Sequence, residues 1–184
     1  MSDIADRLAR LRSSMLLNAV LFQAGWWACV LAAANHRAAL ALLALAGVVA
    51  IQVLLYPAPA RMLRLALLCL GLGAVIESAF VALRVTAFPH DQILLGLAPA
   101  WMAGMWALLA TSLDASLRWL QQRALLGSAF GAAAGPLSYA AGARLGALAL
   151  PGPRSPWVIA AVWAVAFPLL LRLARPPAAA PVIA

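Results

Sequence analysis

Long apolar runs follow one another along the chain, and each is about as long as a membrane-spanning helix. About 20 consecutive apolar residues are needed to cross the hydrocarbon core of a bilayer. The breaks between the runs contain proline, glycine and polar residues typical of turns, and the alternation expected of barrel strands is absent. The pattern predicts an all-α, polytopic membrane protein with six transmembrane helices, at 14–34, 38–56, 63–84, 92–117, 124–149 and 157–174.

Two short segments flank this predicted membrane domain, which covers 14–174. Residues 1–13 place apolar side chains on one face with arginines beside them, which predicts a cytoplasmic amphipathic head lying along the membrane surface. Residues 175–184 are rich in proline and alanine and are predicted to form a disordered cytoplasmic tail. A cleaved signal peptide is the alternative for the first run, but that run is long and contains Asn18 and Gln23.

Composition supports a membrane protein and excludes several other classes. Of 184 residues, 66% are hydrophobic and only 10% are charged, whereas soluble domains carry about 25% charged residues. The net charge of +8 comes from arginines scattered between the apolar runs. Aromatic and basic residues are not interleaved as in single-strand binders, so no nucleic-acid partner is predicted.

The arginines predict the orientation, because cytoplasmic loops are enriched in positive charge. With the N-terminus inside, nine arginines fall on the cytoplasmic side and three on the other. The nine are Arg7, Arg10, Arg12, Arg61, Arg64, Arg118, Arg123, Arg172 and Arg175. The three are Arg37, Arg84 and Arg154, so both termini are predicted to be cytoplasmic.

The fifth run contains an unusual stretch, GSAFGAAAGPLSYAAGARLG at 127–146. Small residues four positions apart allow a neighbouring helix to approach closely, and the internal proline is expected to kink the helix. Two interpretations remain open, a tightly packed central helix and a kinked helix beside a cavity. The candidates for this structural role are Gly127, Gly131, Gly135, Pro136, Ser138, Gly142 and Gly146.

Glu77 and Arg144 are charged residues within apolar runs. Each charge costs about 2.5–3.5 kcal/mol at a helix centre on insertion scales, so both are expected to face inward and be paired. Counting helix rise places both, with Tyr139, in the outer half of the bilayer, although Asp91 competes for the arginine. A structural ion pair, a snorkelling arginine and a ligand-binding or proton-linked carboxylate remain open alternatives.

Other polar residues lie toward the cytoplasmic half. Asn18, Gln23 and Gln52 are expected to form interhelical amide hydrogen bonds worth about 0.6 kcal/mol each, or to contact a ligand. Asp114 precedes Arg118 by four positions, so the two can pair along a helix.

Two tryptophans in the fourth run, Trp101 and Trp106, have two open interpretations. They line an aromatic wall for an acyl chain or flat ligand, or they face lipid, which is the favoured interpretation. Cys29 and Cys69 fall in different runs, so a disulfide is not expected. Neither a metal-type spacing nor a cofactor motif is present, and no metal or cofactor is predicted.

The order of these motifs resembles a known family. Asn18 and FQAGWW at 22–27 are followed by GLGAVIESAF at 71–80, PAWMAGMWALLATSL at 99–113 and GAAAGPLSYAAGARLGA at 131–147. Together they resemble the domain-of-unknown-function 2878 family of small bacterial inner-membrane proteins, over roughly 15–150.

The resemblance implies a helical inner-membrane protein without an assigned activity. It also implies a frequent genomic association with fatty-acid modification of the cyclopropane type and with light or oxidative stress. Glu77 stands where this family more often has aspartate, which argues against a role that depends on fixed carboxylate geometry.

We therefore expect a protein that binds or presents a membrane lipid, or assists a lipid-modifying enzyme. Its pocket would lie between the third, fourth and fifth helices, with polarity from Glu77, Tyr139 and Arg144 and an apolar wall from Trp101 and Trp106. One alternative is a small-solute transporter, or a substrate-binding subunit of one, in which the acid couples to protons. A metal-free membrane enzyme is the least favoured, because no nucleophile–base pair is present.

Overall fold

The computed structural model describes residues 14–89 and 96–176, and these residues form helices joined by short turns. The predicted head, the segment 90–95 that includes His90 and Asp91, and the last eight residues lie outside this description. The helices are α1 (Met15–Ala34), α2 (Ala38–Leu55), α3 (Pro59–Ala82), α4 (Ala100–Leu113), α5 (Ala124–Leu145) and α6 (Ser155–Leu173), with a 3₁₀ turn at Arg118–Leu120. The predicted all-α class is confirmed for the described part of the chain.

Four helices are long and apolar enough to cross a membrane, namely α1, α2, α3 and α6. The helix α4 is apolar but has only 14 residues. The helix α5 has 22 residues, several of them glycines. Four spanning helices of this kind identify a membrane protein.

One helix begins later and another ends earlier than the sequence predicts, and each difference has a local cause. Pro99 caps the start of α4 with an extended backbone, so the helix begins there and not near residue 92. Gly146 takes a left-handed conformation with φ of 89° and ends α5 four residues early. The chain beyond it then pairs with the segment after α3, where Ala149 and Ala87 exchange two backbone hydrogen bonds.

The helices alternate in direction through the bundle. Arg61 at the start of α3 bonds Asp114 at the end of α4, and Ala87 beyond α3 pairs with Ala149 beyond α5. The helices α1, α3 and α5 therefore run from one end of the bundle, named here the Asp114 end, to the other, named the Arg144 end. The helices α2, α4 and α6 run back.

The centre of the bundle is α4 and not α5. Eleven of the 14 residues of α4 are buried, and this helix packs against α1, α2, α3 and α6. In α5 only five residues are buried, and they form a single stripe. The interpretation of the fifth run as the central helix is wrong, because its buried stripe packs mainly against one neighbour, α6.

The glycine stripe of α5 fits against α6. Gly127 lies beside Leu171, while Gly131 and Gly135 lie beside Trp163. A Cβ atom at Gly135 would come within 2.7 Å of the Trp163 indole, and one at Gly131 would overlap the Trp163 carbonyl oxygen. Such contacts let the two backbones approach closely without a hydrophobic driving force.

The remaining small residues of α5 have different roles. Pro136 lies inside the helix without ending it, and the Ser138 hydroxyl donates to the Gly135 carbonyl at 2.8 Å. Gly142 continues the buried stripe. Gly146 does not belong to the stripe, because it caps the helix.

Candidate functional site

A groove of about 720 Å³ lies between α1 and α5, with α4 as its floor and α6 along one side. Its volume falls within the range of about 300–1,000 Å³ that is usual for small-molecule sites. Aromatic and small apolar side chains dominate the lining. The aromatic members include Phe22, Trp26, Trp101, Trp106, Tyr139 and Trp163.

Glu77 lies directly behind this groove and is fully buried in α3. The Trp106 indole N–H donates to its Oε1 atom at 2.8 Å, and the Tyr139 hydroxyl donates to the same oxygen. Its Oε2 atom has no hydrogen-bond partner in the part of the chain that the structure describes. Both donors line the groove, so they separate the carboxyl group from it.

Gly73 explains why Trp106 reaches this acid. A Cβ atom at Gly73 would come within 2.7 Å of the Trp106 side chain, so the indole lies directly on the backbone of α3. Glu77 follows one turn later on the same face. Sequence reasoning missed Gly73, although its spacing of four from the only acid in the run is a usable signal.

The two tryptophans of α4 do not face lipid. Trp101 and Trp106 are 1% and 2% exposed, because the short helix that carries them is surrounded by its neighbours. Trp106 stacks on Trp163 of α6 with ring centroids 4.7 Å apart, and Trp101 meets Phe88 edge to face. The favoured lipid-facing interpretation is therefore wrong.

Arg144 is exposed and makes no ion pair with Glu77. The expectation that it faces inward is wrong, because α5 ends at Leu145 and the arginine stands in its last turn. An arginine that is exposed in the last turn needs no ion pair within the apolar core. Asp91, its other expected partner, lies outside the described residues.

The position of Arg144 nevertheless relates it to the groove. Ala134, Ser138 and Ala141 line the groove from α5. Residues three and four apart share one face of a helix, so Arg144 continues this face one turn beyond Ala141. It therefore stands at the end of the groove wall, beyond its apolar part.

The predicted amide contacts form between three helices. Asn18 of α1 donates from Nδ2 to Gln52 Oε1 of α2 and to the carbonyl of Thr111 in α4 at 2.9 Å. Its Oδ1 atom accepts from the hydroxyl of Ser116 at 2.7 Å. Gln23 lies apart from this network, exposed on α1 along the groove.

A second buried acid, Asp114, lies at the opposite end of the bundle from Arg144. Its Oδ2 atom accepts from Arg61 at 2.8 Å and from the Tyr56 hydroxyl. Its Oδ1 atom accepts from Gln121 at 3.0 Å and lies 3.7 Å from Arg118 Nε. The predicted pair with Arg118 forms, but Arg61 makes the closer contact.

Sequence reasoning missed most of this cluster. Tyr56 had no assigned role, and Arg61 was counted only as a topology signal. Burial, followed by the hydrogen bond to Asp114, raises the pKa of Tyr56 to about 12. Arg61 also donates to the carbonyl of Ala174, so the cluster joins the ends of α2, α3, α4 and α6.

The remaining candidates for metal or redox chemistry stand apart. Cys29 and Cys69 are buried and free. Within the residues 14–89 and 96–176, no three histidine, cysteine, aspartate or glutamate side chains converge. His36 lies in the turn after α1 with a left-handed backbone.

Comparison with known proteins places the chain in a family but not in a functional class. No curated protein and no solved structure matches it. A family model described as a protein of unknown function, DUF2878, matches residues 15–169. This confirms the resemblance found in the motifs, and the chain belongs to the DUF2878 family.

Proposed function

We propose that this protein binds a membrane lipid in the groove between α1 and α5, with the acyl chain against the aromatic floor and an anionic head group near Arg144. We further propose that it presents this lipid to a lipid-modifying enzyme, an idea motivated by the genomic association that the family resemblance implies. The supporting observation is an apolar groove that opens sideways. Trp27 and Leu137 line opposite walls of the groove and are 45% and 69% exposed, so an acyl chain can enter from the bilayer.

Three polar groups that line the groove are already bonded within the protein. The N–H of Trp106 and the hydroxyl of Tyr139 both donate to Glu77, and the Ser138 hydroxyl donates to a backbone carbonyl. These three donors are occupied within the protein, whereas Trp163 Nε1 and the Ser112 hydroxyl, which also line the groove, have no hydrogen-bond partner among the described residues. A methylene chain needs no hydrogen bonds and gains from burial against aromatic side chains.

The head group would be recognised by Arg144. A guanidinium forms bidentate hydrogen bonds with phosphate or carboxylate oxygens. An arginine that is exposed at a helix end keeps its charge in the polar region of the bilayer. Its place beyond the apolar wall of α5 matches the arrangement of a lipid, with the chain inside and the charge outside.

The same proposal includes six crossings of a bacterial inner membrane with both termini in the cytoplasm. The alternating helix directions support it, and so does the charge distribution. Among the described residues, six arginines lie at the Asp114 end and four at the Arg144 end. The six are Arg61, Arg64, Arg118, Arg123, Arg172 and Arg175. The Asp114 end would therefore face the cytoplasm.

Native mass spectrometry of the gently extracted protein tests the lipid proposal. Ala134→Phe places a ring in the groove and should remove the lipid adduct. Ala133→Phe, one residue away on an exposed position, is the matched control and should retain it. Arg144→Gln should reduce the share of anionic lipid at least threefold. Equal adducts in all three variants would contradict the proposal.

Proton-linked transport is the second candidate, and Glu77 is the observation that favours it. A fully buried carboxyl group with an unbonded oxygen is the kind of group that carries protons in transporters. Uptake of solutes into proteoliposomes, driven by a pH gradient and lost in Glu77→Gln, would establish it. A groove that holds lipid stoichiometrically without any uptake would favour the lipid proposal.

A further inference from the structure

The amide network at the Asp114 end fixes the orientation of Gln52. The backbone N–H and the hydroxyl of Ser116 both donate to Asn18 Oδ1. Asn18 Nδ2 must then donate, and it does so to the Thr111 carbonyl and to Gln52 Oε1. Because one end of the Gln52 amide is thereby assigned as oxygen, its other end is the NH₂ group.

This NH₂ group has no hydrogen-bond partner in the described part of the chain. Gln52 is 5% exposed, so water at the surface does not satisfy the group. An unbonded buried donor costs about 1–3 kcal/mol. A donor in this position indicates an acceptor that the described part of the chain does not supply.

A cavity of about 190 Å³ lies beside Gln52, separate from the lipid groove. It is bounded by the start of α1, the end of α2 and the end of α4, and Gln52, Tyr56, Asp114 and Arg118 contribute its polar lining. Apolar side chains such as Leu21 and Leu55 form the rest. The cavity is large enough for several non-hydrogen atoms and lies at the level where α2 and α4 end.

The charges around this cavity favour an anion. Both oxygens of Asp114 are already occupied by Arg61, Tyr56 and Gln121, so this carboxylate has no free role as an acceptor. Arg61 and Arg118 together face one acid, which leaves one net positive charge. The side chain of Arg118 is 60% exposed, lines the cavity and keeps donors for another partner.

We propose that this cavity is a second binding site, specific for a phosphate group with a net negative charge, held by Gln52 Nε2 and the Arg118 guanidinium. The group belongs either to the head of an anionic lipid or to a small soluble phosphate ester. An amide donor and a guanidinium on one side of a cavity are complementary to phosphate oxygens.

Two substitutions test this site in the Arg144→Gln background, which removes the charge at the lipid groove. Gln52→Glu keeps the acceptor for Asn18 but replaces the free donor with a negative oxygen. Arg118→Ala removes an exposed side chain and leaves Arg61, the closer cation, paired with Asp114. Arg172→Ala, another exposed arginine at the same end that does not line the cavity, is the matched control.

The probes are dihexanoyl phosphatidylglycerol and glycerol 3-phosphate, each titrated against purified protein and followed by native mass spectrometry. Gln52→Glu and Arg118→Ala should each raise the dissociation constant at least tenfold, and Arg172→Ala should leave it unchanged. Binding of the lipid alone would assign the phosphate to a head group, and binding of both probes would assign it to soluble esters as well.

The proposal is overturned if neither probe binds, or if Arg118→Ala changes the dissociation constant less than twofold. Thermal unfolding in detergent checks that each variant is folded. Ala134→Phe, which fills the lipid groove, should not affect these titrations. Failure of the second site and failure of the lipid proposal are therefore distinguishable.

Discussion

Two buried acids in this protein have opposite surroundings. Asp114 accepts hydrogen bonds on both oxygens and lies near two guanidinium groups at one end of the bundle. Glu77 lies within the bundle and accepts two neutral donors on one oxygen, while the described residues 14–89 and 96–176 supply neither an arginine nor a partner for the other oxygen. Asp114 is therefore held by ion pairs and hydrogen bonds, whereas Glu77 has no counter-ion in the part of the chain that the structure describes.

This difference distinguishes a polar cluster that stabilises the fold from a polar residue that has a functional role. A buried charge that is fully paired holds its neighbours in place, and removing one partner is costly. An acid without a counter-ion is poorly explained by stability, because a neutral residue can accept the same hydrogen bonds. We therefore interpret the Asp114 cluster as a structural contact that holds the helix ends together. We interpret Glu77 as a residue with a functional role.

The largest effect is expected from removing the main partner of Asp114. Arg61→Met should lower the free energy of unfolding by about 3 kcal/mol, because it leaves a buried carboxylate without its closest cation. Arg64→Met, an exposed arginine one turn along the same helix, is the control and should change it by less than about 0.5 kcal/mol. Unfolding in mixed detergent–SDS micelles measures both, and equal losses would contradict the distinction.

The next effect concerns the donors of Glu77. Tyr139→Phe removes one hydrogen bond from the acid and should cost about 1.5 kcal/mol. The loss should disappear when Glu77 is replaced by leucine, because the hydroxyl then has no acceptor. A double-mutant cycle in the same micelles gives this coupling, and a coupling below about 0.3 kcal/mol would show that the hydrogen bond does not contribute.

A smaller effect belongs to Tyr56 and depends on pH. The pKa of Tyr56 is raised to about 12 in the folded protein, above its ordinary value of about 10. Its contribution to stability is therefore complete below pH 10 and is lost as the pH rises toward 12. Tyr56→Phe should cost about 1 kcal/mol at pH 8 and flatten the decline between pH 10 and 12. An unchanged slope would contradict this assignment.

Much of the fold was predictable because hydrophobic runs of membrane length leave few alternatives. The six helices and their alternating directions follow from spacing, and depth indicated interhelical amide hydrogen bonds for Asn18 and Gln52 without specifying their partners. The ends of α4 and α5 were not predictable from hydropathy, because Pro99 and Gly146 end helices through backbone geometry within apolar sequence. A depth in the membrane that is counted from the helical rise is therefore wrong for residues near or beyond such an end.

The site was less predictable than the fold, and Arg144 shows why. Counting helix rise predicted that Arg144 lies inside the bundle beside Glu77, but the helix ends four residues earlier and Arg144 is exposed in its last turn. Tyr139 and Trp106 were both named as candidates, yet their meeting on Glu77 depends on Gly73, which lets α3 and α4 approach. Contacts between helices depend on which faces pack together, and a single sequence does not specify this order.

The smallest effect is expected at Glu77 itself, and it completes the comparison between the two acids. Glu77→Gln keeps an acceptor for Trp106 and Tyr139, so the free energy of unfolding should change by less than about 0.5 kcal/mol. Asp114→Asn is the matched substitution, and it should cost about 2 kcal/mol because Arg61 loses its counter-charge. The two variants are measured side by side in mixed micelles. If Glu77→Gln is the more costly, the carboxylate at Glu77 contributes structurally, and the assignment of this acid to function fails.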